Sequence, residues 1–170
     1  KKAFNKDKIK KHYGFNSVHK LDFPTTKLDT IPMGLIISEI SKIISKLEPE
    51  IVYTNHHNDV HTDHQIVFSA ISSCTKSFRY PFIKKILSYE TLSETEFSLK
   101  RGDDSFNPNL FVDISAFIEQ KCAAMKIYKS EVMEEPFPRS IQNIKALAKL
   151  RGSSIGKDFA EAFIILKEIS

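Results

Sequence analysis

Four of the chain's six histidines fall within the segment running from Tyr53 to His64, together with the carboxylates Asp59 and Asp63. If a helix begins near His61, then His61 and His64 share a face of its first turn and their imidazoles can converge. A helix N-terminus disfavours the protonated ring, so a histidine there tends to stay neutral, the form a metal ligand requires. Asp63 lies between the two, and a carboxylate that holds the second ring nitrogen fixes tautomer and orientation. Spacing alone leaves two readings open, a metal or catalytic site and a plain polar loop. His56 and His57 are adjacent, so in an extended segment they point opposite ways and belong at the rim. Asp59 lines the pocket in one reading and is a turn residue in the other. His12 and His19 have no carboxylate or cysteine at ligand spacing and read as solvated or core-edge histidines. A catalytic zinc site usually takes three protein ligands and keeps one position for water, so two histidines do not complete one.

The segment sits between elements that can position it. Ile51 to Thr54 is short, β-branched and aromatic, which predicts a buried strand. Ile66, Val67, Ala70, Ile71 and Cys74 recur at helical spacing, so a helix follows from close to His61. This is strand, loop, helix, and in α/β sheets sites form where loops leave the carboxyl ends of strands. Before it, Lys6 to Tyr13 reads as a helix stopped at Gly14, Val18 to Phe23 as a short strand, and Met33 to about Pro49 as an amphipathic helix. After it, Phe82 to Tyr89 and Asn109 to Ile114 read as strands, with Glu96 to Leu99 as another short piece. Arg101 to Ser105, with Asp103 and Asp104, reads as a turn rather than a metal loop. Ser115 is expected to cap a helix through Tyr128, Ser140 one ending at Gly152, and Ala160 to Ile169 closes as a strand. The alternation predicts an α/β sandwich with a mainly parallel sheet.

The chain has 170 residues, 41% of them apolar and 27% charged, which fits one soluble domain of ordinary size. No apolar run approaches the roughly 18 residues of a membrane span, so a transmembrane reading is excluded. The first residues are basic but lack the apolar region and cleavage site of a secretory signal. Cys74 and Cys122 stand alone, which argues against a disulfide framework or thiolate zinc site and favours a reducing, cytoplasmic setting. The net charge of +4 is spread out, without the basic face or fold signature of a nucleic-acid binder.

Val52-Tyr53-Thr54 followed by Asp59-Val60-His61-Thr62-Asp63-His64 resembles the second signature of the PIG-L or LmbE-like family of zinc-dependent N-acetylglucosamine de-N-acetylases. The likeness continues through Asn107 to Ser115, Lys121, Tyr128-Lys129-Ser130-Glu131, Arg139-Ser140, Arg151-Gly152 and Ala160 to Phe163. It implies a Rossmann-like three-layer fold and hydrolysis of the N-acetyl group of an amino sugar or glycoconjugate, with Zn2+ or another divalent metal as cofactor. By position, His64 matches the zinc-ligand histidine, His61 the general acid that steadies the oxyanion, and Asp63 the carboxylate that orients His61. Thr62 stands where proline is common in the family. The family's first signature, His-Pro-Asp-Asp, supplies the other two ligands and the general base, and this sequence does not contain it. Residue 1 is not Met, and the expectation is a single deacetylase-like domain over residues 1–170 whose first strand and metal loop lie upstream. The resemblance also implies that a homo-oligomer is an option. A carbohydrate-binding relative without catalysis and a metal-free interaction domain are the competing readings.

Overall fold

A computed structural model describes residues 6–99 and 102–170. Its packing divides the chain into two units, one of residues 21–110 and 163–170, the other of residues 1–20 and 111–162.

In the first unit, α2 (Met33–Leu47) starts directly after Pro32 and ends where Glu48 turns into the left-handed region at φ 46°, ahead of Pro49. Its apolar stripe buries Ile36 and Ile44. Ile44, Cys74, Tyr80, Ile83 and Ile86 form the core cluster, with Ile37, Ile40, Val52 and Phe82 packed against it. β1 (Ile51–Asn55) leads through the loop of interest into α3 (Thr62–Ser73), and the chain returns as β2 (Lys85–Tyr89). β1 and β2 are parallel, in register from Ile51 opposite Lys85 to Asn55 opposite Tyr89. That is the expected strand, helix, strand unit, and it brings the loops after both strands to the same end of the pair.

The second unit holds α1 (Lys6–Tyr13), β3 (Leu110–Asp113, except Leu110), α4 (Ile118–Ile127), α5 (Ile141–Ser153) and the start of β4 (Ala160–Glu168). α1 stops as expected at Gly14, whose φ is 69°, and the Phe15 N–H reaches back to the Lys10 carbonyl. α4 packs on α1 and α5. Ser140 caps α5 as expected, its hydroxyl accepting the Asn143 N–H at 3.2 Å.

The strand order is β1-β2-β4-β3. The sheet is mixed, which corrects the mainly parallel expectation. β4 runs antiparallel to β2. Hydrogen bonds from Asn109 to Phe163 and from Ile114 to Phe159 descend along β4 as they ascend along β3, so that pair is antiparallel too. A helix separates β1 from its parallel neighbour β2, but between β2 and β3 the described residues form turns and a short 3-10 helix and no α-helix, so alternation does not dictate its direction.

Local expectations fail at four places. Residues 18–23 form no strand, because Asp22 sits at φ 55°, which breaks an extended run. Residues 96–99 are turn and coil, following Ser93 at φ 74°. Ser115 does not cap α4. Its hydroxyl is 2.6 Å from Asp113 Oδ1, to which it donates, and the cap position is Phe117. β1 is not fully buried: Thr54 and Asn55 are, whereas Ile51 is 47% and Tyr53 53% exposed, as suits a strand at the end of the sheet order.

Candidate active site

The loop between β1 and α3 is fastened at both ends by β1's last residue. The Asn55 side-chain amide donates to the His64 carbonyl at 2.8 Å and the His56 carbonyl at 3.0 Å. It is also fastened from the side by the loop that follows β2. The Val60 N–H donates to the Glu94 carbonyl, and the Thr95 hydroxyl donates to Asp59 Oδ1 at 2.6 Å. Parallel pairing of β1 and β2 is what lets these two loops meet.

His61 is the N-cap of α3. Its Nδ1 accepts the Asp63 N–H at 3.1 Å, so a histidine ring takes the place of the usual Ser or Asp cap. The neutral His61 ring then carries its proton on Nε2. His64, one turn on, places Nδ1 2.8 Å from Asp59 Oδ2. The two imidazoles stack, with centroids 5.3 Å apart and planes 28° from parallel. Both rings therefore spend Nδ1 on the protein, and among the described residues neither Nε2 makes a hydrogen bond. The hydrogen bond to Asp59 raises the His64 pKa above the usual imidazole value and outweighs burial, which lowers it. The neutral ring expected from the helix terminus alone is thus opposed by a carboxylate the spacing argument left undecided.

Asp63 is placed differently from the role that resemblance implies. Its carboxylate accepts the N–H groups of Thr26 at 2.6 Å and Leu28 at 3.2 Å, and it meets His61 through its own backbone N–H. Asp59 is fully buried, at 0% exposure, and its N–H closes a turn onto the His56 carbonyl at 3.2 Å. His56 is also buried, at 2%, which corrects its placement at the rim; His57 beside it is exposed. His56 Nε2 lies 3.2 Å from the carbonyl of Asp104, which the Asn58 amide also reaches at 3.0 Å. Gly102–Asp104 is a 3-10 turn, in keeping with the loop reading of that stretch; Arg101 lies outside the described residues. Burial holds the His56 pKa below its ordinary value, and its Nδ1 has no partner among the described residues. His12 and His19 are bonded to the Gln120 carbonyl and the Ser17 hydroxyl.

Residues 4–75, from α1 to the end of α3, match the family model described as PIG-L: GlcNAc-PI de-N-acetylase. Over these residues, less than half of the chain, the sequence is similar to that family. Solved structures share the fold of this chain over most of its length. The conserved protein TT1542 from Thermus thermophilus aligns with TM-score 0.74 and 22% identity, over 96% of this chain and 72% of that one. The N,N'-diacetylchitobiose deacetylase from Pyrococcus horikoshii aligns with TM-score 0.72 and 19% identity, over 95% of this chain and 61% of that one. The 4-carboxy-2-hydroxymuconate hydratase from Pseudomonas putida aligns with TM-score 0.56 and 15% identity, over 81% and 60%. A deacetylase and a hydratase on one fold mean that the fold does not choose the reaction. The site has to carry that argument.

Among the described residues, no three His, Cys, Asp or Glu side chains are grouped to hold a metal ion. His64, with a carboxylate on Nδ1 and Nε2 remaining, suits one ligand position of a zinc site. The described residues do not supply the other two. Among them, no helix is long and apolar enough to cross a membrane.

Proposed function

We propose that this chain forms part of an amidohydrolase that removes the N-acetyl group from an N-acetylglucosamine-type amino sugar or its conjugate. The observation that carries the reading is the stacked pair His61 and His64, each with Nδ1 held by the protein and Nε2 left over, on the loop leaving the carboxyl end of β1. The PIG-L match over residues 4–75 supports it. In the reaction a water oxygen bonds to the acetyl carbon, the C–N bond breaks, and the amine leaves with a proton. His61 Nε2–H is the donor for the oxyanion that develops on the carbonyl. The proton that water gives up on attack is relayed to His61, which as the imidazolium, with Nδ1 no longer accepting the Asp63 N–H, delivers a proton to the leaving nitrogen. His64 would be one of the ligands of a zinc ion, which when bound polarises the amide and makes hydroxide available. The described residues do not group the remaining ligands of such an ion around His64. Asp63 serves His61 through its main-chain N–H and by fastening the start of α3. Two free, buried cysteines are in keeping with a cytoplasmic, reducing location.

The test is deacetylation of N-acetylglucosamine conjugates together with zinc content. His64→Ala is expected to lose zinc and activity. His61→Ala is expected to keep zinc and lose activity by about 100- to 10,000-fold, the usual weight of an acid–base group. Stoichiometric zinc and full turnover in His64→Ala overturn the ligand assignment. Amino-sugar binding without turnover in the wild type favours a carbohydrate-binding relative.

A further inference from the structure

His64 is held by a chain of hydrogen bonds with one polarity. The Thr91 N–H donates to Thr95 Oγ1 at 2.8 Å. A backbone N–H only donates, so the Thr95 hydroxyl accepts there and directs its own hydrogen to Asp59 Oδ1 at 2.6 Å. The other carboxylate oxygen, Oδ2, faces His64 Nδ1 at 2.8 Å. An ionised carboxylate only accepts, so the ring nitrogen that meets it must carry the hydrogen.

Asp59 has little freedom to do otherwise. Its N–H donates to the His56 carbonyl at 3.2 Å, and its carbonyl accepts the Gln65 side-chain amide at 2.8 Å. With both backbone groups and both carboxylate oxygens engaged and no exposure to water, the side chain presents one oxygen to Thr95 and one to His64. The Val60 to Glu94 hydrogen bond ties the two loops together immediately beside this contact.

We infer that Asp59 and Thr95 are positioning residues that fix His64 in the tautomer with its hydrogen on Nδ1 and its lone pair on Nε2. The inference deepens the hydrolase reading and rests on it for what His64 Nε2 meets, though not for the tautomer itself. A lone pair on Nε2 is what a metal ion needs, and the opposite tautomer would present a hydrogen there instead. Thr95 acts at one remove: it turns the carboxylate, and the carboxylate turns the ring.

Nitrogen-15 NMR of the histidine rings on the 170-residue chain, at a pH where they are neutral, reads the tautomer directly. The wild type is expected to show His64 as Nδ1–H. In Asp59→Asn the amide offers one acceptor to two donors, so a mixed or inverted His64 tautomer is expected. Thr95→Ala is expected to shift His64 in the same direction, and Thr95→Ser to restore the wild-type signal, with Thr95 variants carrying the test if Asp59→Asn does not fold. A wild-type His64 protonated on Nε2, or a wild-type tautomer retained in both Asp59→Asn and Thr95→Ala, overturns the inference. If the tautomer shifts as expected while the wild type neither takes up zinc nor hydrolyses the amide, the positioning stands and the hydrolase reading falls.

Discussion

The Asp63 carboxylate lies 2.6 Å from the backbone nitrogen of Thr26, which donates to it. Thr26 sits at φ 63°, a conformation uncommon for a β-branched residue. A buried carboxylate in the first turn of α3 thus pins a strained loop that precedes α2, and it also holds the Leu28 N–H, where a 3-10 turn begins. The same residue caps nothing with its side chain, yet gives its own N–H to His61. Asp63 is a joint between the loop ahead of α2 and the loop that carries the histidines.

Removing that joint should cost stability before it changes chemistry. Asp63→Ala strands two backbone donors, and with hydrogen bonds to a charged group contributing roughly 1.5–3 kcal/mol each, a loss of about 3 kcal/mol is expected. For a chain of this size that lowers Tm by roughly 6–12 °C, readable by thermal melting. Asp63→Asn keeps one acceptor and should fall between. An unchanged Tm combined with a large loss of turnover would return Asp63 to the role of holding the His61 ring through its carboxylate.

His56 gives the fold an acid sensitivity. Burial keeps its pKa below the ordinary imidazole value, so the folded chain holds the ring neutral while the unfolded chain protonates it near pH 6.5. Above that pH both states are neutral and His56 adds no slope. As pH falls below about 6.5 the unfolded state binds the proton first, and stability declines until the folded pKa is passed. His56→Gln keeps a donor for the Asp104 carbonyl and removes the titration. Denaturant unfolding at a series of pH values from about 7.5 to 4.5 should give a shallower decline in His56→Gln than in the wild type; parallel curves would assign the sensitivity elsewhere.

What the sequence disclosed, and what it hid, follows from how far apart the interacting residues lie. α1, α2, β1, α3 and β2 were legible because their periodicity and stop signals are local: Gly14 after α1, Pro49 after α2, β-branched residues in β1. His61 and His64 were legible as a pair because three residues make one helical turn. Asp59 lies five residues before His64, but it is in a loop, where spacing does not say which groups meet. Thr95 is 36 residues from Asp59 and carries no signal of its own. His56 looked like a rim residue because the Asp104 turn that covers it is 48 residues away. The direction of β4 depends on which strand it pairs with, and periodicity is silent about partners.

Gly152 shows the same dependence on distant backbone and offers the simplest check on the packing of α5. It is buried in the helix's last turn, and a Cβ built on it would lie 2.6 Å from the Lys157 carbonyl oxygen and 2.8 Å from the Phe159 nitrogen. Both are main-chain atoms of the segment that leads into β4, so no side chain can swing aside to make room. The Lys157 N–H also donates to the Gly152 carbonyl at 3.0 Å, which holds the two stretches at that distance. Gly152→Ala must therefore push the turn away from the helix, and overpacking of this kind costs about 1–3 kcal/mol or somewhat more. Ala is the better helix former by nearly 1 kcal/mol, so a close approach without consequence would leave the variant more stable than the wild type. The expected result is a Tm lowered by roughly 4–10 °C, with weakened amide-exchange protection from Lys157 to Ala160. A raised Tm would mean that the helix and this segment do not meet as closely as the backbone places them.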